Sequence, residues 1–112
     1  MIEDPTVLRR LKRQVLDKGQ SVALALEKLM NGLDVRLEDL GAGRDFESER
    51  DKRRRLRKLL DQIDRVVKSF DAGTFGTCAD CGGRIEDDRL REMPWTSRCG
   101  ACFQKAVREG TL

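Results

Sequence analysis

Four cysteines constrain this chain more than anything else in it. They stand as Cys78-x2-Cys81, seventeen residues, then Cys99-x2-Cys102. Two residues between thiols let a tight turn bring both sulfurs to about 4 Å, one edge of a tetrahedron with metal–sulfur bonds near ~2.3 Å. Two such pairs make a four-thiolate shell, the pattern of a zinc site. Gly82 and Gly83 follow the first pair, where the backbone has to turn close to the metal. The second pair can begin a last helix, whose N-terminal dipole favours thiolate charge. His is absent from the chain, so only an all-cysteine ligand set is available. Two disulfides or a redox-active pair are the competing readings. Persistent disulfides are rare in a reducing compartment, and a thioredoxin-type pair needs a βαβ pattern that is missing here. A closed shell of protein ligands leaves no position for water, so one structural Zn²⁺ is expected rather than a catalytic one. The metal also supplies folding energy that a module of roughly 40 residues with few large apolar side chains lacks.

The rest of the chain reads as helix. Asp4 before Pro5 suits an N-cap followed by proline at the first helical position. Leu8, Leu11, Val15, Val22, Ala25 and Leu29 recur at steps of three and four, with Lys18 as the one polar break. Asn31-Gly32 reads as the stop, giving a helix of about 5–31 and a rod of roughly 39 Å. Gly19 sits inside it at a cost of about 1 kcal/mol relative to Ala. A connection of about 32–45 contains Gly41-Ala42-Gly43. A second helix, about 46–71, carries the seam Leu56, Leu59, Ile63, Val66 and Phe70, widened by Leu60 and Val67, and Gly73 suits its C′ position. Two seam-bearing helices of equal length predict an antiparallel hairpin over 1–72. Its far end is expected to be loose, because the first turns of the second helix offer little for Leu26 and Leu29 to bury against. Composition shifts at Asp71-Ala72-Gly73, the expected boundary of a finger module over 73–112. Phe75, Ile85, Leu90, Met93, Trp95 and Phe103 are expected to form a miniature core around the cysteines. The predicted fold class is therefore all-α, a two-helix coiled-coil hairpin followed by a four-cysteine zinc finger with a C-terminal helix.

Charge narrows the function. The balance is 23 basic against 20 acidic residues, too even for a whole-surface nucleic-acid binder. Residues 78–112 carry six basic and six acidic side chains. Four thiolates with Zn²⁺ bring that module to about −2, a poor phosphate binder. Direct DNA binding by the finger is therefore not expected. Arg50, Lys52, Arg53, Arg54, Arg55, Arg57 and Lys58 form a basic run on the second helix, reading as a solvated surface or as a docking face for acidic protein or nucleic acid. Arg50, Arg53, Arg54 and Arg57 are its candidate partner-binding residues. The connection is acidic by contrast, with Asp34, Glu38, Asp39, Asp45, Glu47, Glu49 and Asp51 against Arg36, Arg44 and Arg50. Without His, acyl-transfer triads and Cys–His pairs are unavailable, so no enzymatic activity is expected. No run of about 18 apolar residues is present, and the start Met-Ile-Glu-Asp-Pro has no secretion core, so a cytoplasmic protein without a membrane partner is expected.

The stretch Phe75-Gly76-Thr77-Cys78-Ala79-Asp80-Cys81-Gly82-Gly83-Arg84-Ile85 resembles the DksA/TraR family. The resemblance continues through Asp88-Arg89-Leu90-Arg91-Glu92-Met93-Pro94 and Cys99-Gly100-Ala101-Cys102, and backward into Ile63–Gly73. It is specific from Leu56 to Cys102 and architectural before that. It implies a regulator that binds bacterial RNA polymerase, with the hairpin in the secondary channel, the finger on the channel rim, and initiation complexes stabilised or destabilised by promoter. The resemblance is to short, TraR-like members, with the extra N-terminal segment of longer ones expected to be absent. The alarmone ppGpp is then a candidate component of the complex whose effect is expected to be absent or altered. Well-studied members carry an Asp-x-x-Asp-x-Ala-like tip. Here the corresponding stretch is Asp34-Val35-Arg36-Leu37-Glu38-Asp39-Leu40-Gly41-Ala42, with different spacing. Asp39 is the first candidate for the functional acid and Asp34 the second.

Overall fold

Pro5 and Asp4 begin the first helix as their chemistry requires. In a computed structural model of the chain, which describes residues 3–40 and 48–110, helix α1 spans Pro5–Met30. The Asp4 side chain accepts from the Thr6 amide at 2.8 Å, and the Asn31 amide closes the last turn. A short 3-10 turn follows at Leu37–Leu40; the side chains of Glu38 and Asp39 fall outside the described set. Helix α2 spans Glu49–Ala72, with Ser48 accepting from the Asp51 amide at 3.2 Å and Gly73 ending it in the left-handed region at φ +73°. The expected start at Phe46 lies outside the described residues; the described helix begins where Ser48 caps it. Two smaller helices complete the chain, α3 at Asp87–Glu92 and α4 at Gly100–Glu109. Helix α3 lies between the cysteine pairs. Its acidic first turn, Asp87 and Asp88, and its basic Arg91 suit the helix dipole. No strand forms among the described residues, only a single antiparallel bridge between Thr77 and Arg84. No described helix is long and apolar enough to cross a membrane.

α1 and α2 pack antiparallel. Leu11, Val15, Val22, Ala25 and Leu29 of α1 are buried, as are Leu56, Ile63 and Val66 of α2. Lys12 pairs with Asp71 at 3.1 Å near one end of the hairpin. Gly19 explains its own position: a Cβ there would lie 3.2 Å from Ile63 Cγ2, so the glycine lets the helices approach closely.

The far end of the hairpin is not loose. The described part of the connection, up to Leu40, folds back on the helices, and Leu37 is fully buried with Leu29 and Leu56 in the hairpin core. Val35 and Leu40 pack against the same cluster. Burying one leucine contributes about 1.5–3 kcal/mol. Ordering eight residues of backbone costs on the order of 8–16 kcal/mol, so Leu37 alone cannot hold the segment. Two lysines supply polar anchors. Lys52, counted above as part of a basic surface, is buried on α2; its ammonium donates to Asp34 Oδ1 at 3.0 Å and to the Val35 carbonyl at 3.1 Å. Lys18, the polar break in the α1 seam, donates to the Leu40 carbonyl.

The finger rests on the hairpin through its aromatic residues. Phe75 stacks on Phe70 with ring centroids 4.0 Å apart, and Trp95 packs against the hairpin cluster. Gln62 of α2 donates to the Trp95 carbonyl at 2.7 Å, and the Lys18 ammonium lies 4.6 Å from the indole centroid. The whole measures 42 × 31 × 20 Å.

Candidate metal centre

The first cysteine pair sits on a loop that the glycines make possible. The Cys78 amide donates to the Gly83 carbonyl at 2.8 Å, the Gly82 amide to the Cys78 carbonyl at 3.0 Å, and the Ile85 amide to the Gly76 carbonyl at 2.8 Å. Gly82 turns the chain at φ +72°, a conformation side chains avoid. A Cβ on Gly83 would come within 3.3 Å of the Cys81 sulfur, while its amide approaches that sulfur at 3.4 Å. The second pair sits at the start of α4, with Cys99 at the N-cap and Cys102 in the first turn. Cys99 makes no side-chain capping bond. Instead the Glu86 carboxylate accepts from the Gly100 amide at 3.0 Å, tying the start of α3 to the start of α4. Further bonds hold the halves in register. The Ala79 amide donates to the Ser97 carbonyl at 2.8 Å, Arg98 pairs with Asp80 at 2.7 Å, and Arg89 Nε donates to the Arg98 carbonyl at 2.9 Å.

These elements bring the four sulfurs within 4.8 Å of one another. Cys81 and Cys99 sulfurs are 3.9 Å apart. A tetrahedral shell with zinc–sulfur bonds of ~2.3 Å requires sulfur–sulfur edges of about 3.8 Å. The donor set and its spacing therefore fit one Zn²⁺, and the four cysteines form a C4 zinc-binding site. Cys78 and Cys102 are driven in opposite directions. Burial opposes ionisation of Cys78, but amides of Cys81, Cys99 and Asp80 directed at its sulfur outweigh that and bring the thiol down to about 6. Cys102 is pushed up to about 12, first by its hydrogen bond with Cys99, then by burial and the neighbouring sulfurs.

The core around the cysteines is smaller than expected. Ile85 and Leu90 are buried with Cys78 and Cys99, and Phe75 packs on them. Met93 and Phe103 are exposed instead, Phe103 lying under the Arg89 guanidinium at 4.7 Å. Trp95 faces the hairpin cluster. Its role is to dock the finger, which the sequence marked only by its being the sole Trp.

The other candidate residues are scattered. Asp34 is fastened to Lys52, and the side chain of Asp39 lies outside the described residues. The basic run does not wrap evenly around α2. Lys52 points inward, and half-buried Arg53 pairs with Glu49 at 3.3 Å. Arg50, Arg54, Arg57 and Lys58 are exposed at helical spacings of four, three and one. They share one face and have no hydrogen-bond or ion-pair partner among the described residues. Glu86, Lys18 and Lys52 carry structural roles that sequence reading missed. Lys18 alone left a signal, as a charge inside an apolar seam.

Residues 73–108 match the prokaryotic dksA/traR C4-type zinc finger. An uncharacterized protein from Aquifex aeolicus (strain VF5) is 38% identical over 50 residues, 45% of this chain and 34% of that one. The match thus spans about a third of that relative's length. Two solved structures share the fold. The RNA polymerase binding protein and transcriptional regulator Dks from Chlamydia trachomatis L2 (LGV434) aligns with a TM-score of 0.58 at 20% identity, over 98% of this chain and 96% of that one. Transcription factor DksA2 from Pseudomonas aeruginosa aligns with a TM-score of 0.62 at 22% identity, over 97% and 89%.

Proposed function

From a chain whose residues 73–108 form a zinc finger of the prokaryotic dksA/traR C4 type, we propose a transcription regulator that binds bacterial RNA polymerase. The observation that carries the reading is the likeness of hairpin and finger together, over nearly the whole chain, to a protein described as RNA polymerase binding. In this reading the chain works as two units, a hairpin of 1–72 and a finger of 73–112. The hairpin enters the polymerase secondary channel, and the finger with the adjoining helix ends rests on the rim. Helix α1, at 26 residues and roughly 39 Å, has the length for such reach. An acidic connection suits a site organised around cations. Of the two candidate acids, Asp39 is the one proposed to act on the partner. Asp34, held by Lys52, fastens the connection. Bound Zn²⁺ supplies a crosslink between the two cysteine pairs and no chemistry.

A pull-down with purified core polymerase, competed by a known secondary-channel factor, tests the partner. The expected result is binding at micromolar concentration that the competitor displaces. In vitro transcription with and without the protein, plus and minus ppGpp, tests the effect on initiation and the ligand together.

A second reading rests on the exposed face Arg50, Arg54, Arg57 and Lys58, which suits a polyanion. An anisotropy titration against nucleic acid separates it. Binding whose logarithm falls steeply with the logarithm of salt, and more shallowly in Arg54→Ala, favours this reading over the first.

A further inference from the structure

We infer that Trp95 of the finger positions the Leu37–Leu40 turn by way of Lys18, beyond the apolar cluster that the indole and the turn share. The inference goes beyond the polymerase reading and does not depend on it.

Lys18 lies in the middle of α1, inside a row of buried apolar residues. Its ammonium has two partners from distant parts of the chain. One is the Leu40 carbonyl at the end of the 3-10 turn; the other is the indole face of Trp95, 4.6 Å from the ring centroid. A lysine side chain has four rotatable bonds and gives up much of its rotamer freedom when fixed. A single hydrogen bond of its kind does little more than offset that loss. Lys18 therefore stays aimed at Leu40 only while a second group holds it. The indole is that group. It covers one side of a partly buried ammonium and attracts it through the ring quadrupole.

Trp95 is bonded to α2 and lies within a closed turn of the finger. The Gln62 amide of α2 donates to its carbonyl at 2.7 Å, and the Thr96 amide donates to the Met93 carbonyl at 3.0 Å within the finger. So the finger places the indole, the indole places the ammonium, and the ammonium secures the carbonyl that ends the turn. The turn carries Asp39. Displacing Trp95 thus loosens the acidic segment at a distance, while Lys52 continues to hold its beginning through Asp34 and Val35.

Hydrogen exchange measured by mass spectrometry on the zinc-loaded full chain tests this without any partner. Trp95→Ala and Lys18→Met are each expected to speed exchange across residues 37–40 about 2- to 30-fold, the range of a cation–π contact. Their double variant should add nothing to the larger of the two, and Trp95→Phe, which keeps an aromatic face, should restore most of the protection. Wild-type exchange at 37–40 in Trp95→Ala, or increments that sum in the double variant, would overturn the coupling. If Trp95→Ala loses its zinc, Gln62→Ala, which removes the α2 bond to the Trp95 carbonyl, takes its place, with a change in Trp95 emission showing that the indole has moved. Faster exchange at 37–40 then supports the inference, and unchanged exchange sinks it.

Discussion

Gly19 and Ile63 show how a single missing side chain sets the distance between two helices. Alanine at 19 gains about 1 kcal/mol of helix propensity. Its Cβ, however, would sit 3.2 Å from Cγ2 of an isoleucine buried in the hairpin core. Overpacking of a filled core costs about 1–3 kcal/mol, so Gly19→Ala is expected to destabilise the chain by about 1 kcal/mol net. Urea unfolding of Gly19→Ala with and without Ile63→Leu checks the cause. The second change removes Cγ2 and should recover the loss. Lys52 makes the opposite point, since it is a charge that belongs inside. Lys52→Ala leaves the Val35 carbonyl and Asp34 without their buried donor, and a loss of about 1–3 kcal/mol is expected. Exposed Arg54→Ala on the same helix is the control, expected within about 0.5 kcal/mol of the parent.

At the level of elements, metal and protons compete for the same sulfurs. At about pH 7 Cys78, brought down to about 6, is already a thiolate, whereas Cys102, pushed up to about 12, still holds its proton. Zinc requires the thiolate at both. Binding therefore releases the Cys102 proton, and affinity is expected to rise steadily with pH. It should fall more steeply once pH drops below about 6, where Cys78 is protonated too. Competition against a chromophoric chelator over about pH 5.5–8 reads this directly; a flat profile would refute it. Chelation, or Cys81→Ser, is expected to unfold the finger while α1 and α2 keep most of the far-UV helical signal, because the hairpin has its own buried cluster. The elements themselves were legible in residue pattern. Asp4-Pro5, the α1 seam, Gly73 and the cysteine spacing each state a local rule that the fold obeys. What stayed hidden depends on distant partners. Leu37 stands with Leu33, Val35 and Leu40 in an acidic stretch, and nothing near it in sequence says that Leu29 and Leu56 will cover it. The Arg50–Lys58 run gives seven charges and no sign of which one turns inward. Trp95 and Phe103 look equally suited to a small core, yet one docks on the hairpin and the other faces solvent.

For the whole molecule, folding the 34–40 segment back makes the placement of Asp34 and of the turn that carries Asp39 a property of the tertiary structure. Under the polymerase reading, Asp39→Asn should abolish the effect on transcription with little change in polymerase affinity. Asp34→Asn should instead act through the turn, weakening the Lys52 anchor and lowering stability modestly. Parallel measurement of binding and of transcript yield distinguishes them, and equal loss of binding and yield in Asp39→Asn would make that acid a docking residue.

The chain has one tryptophan and no tyrosine. Its ultraviolet emission therefore comes from a single spot, the seam where finger meets hairpin beside an ammonium. The protein carries its own optical gauge of whether its two parts are joined. A shift or change of intensity on adding a partner, a salt or a chelator can be followed with no label attached, and in real time.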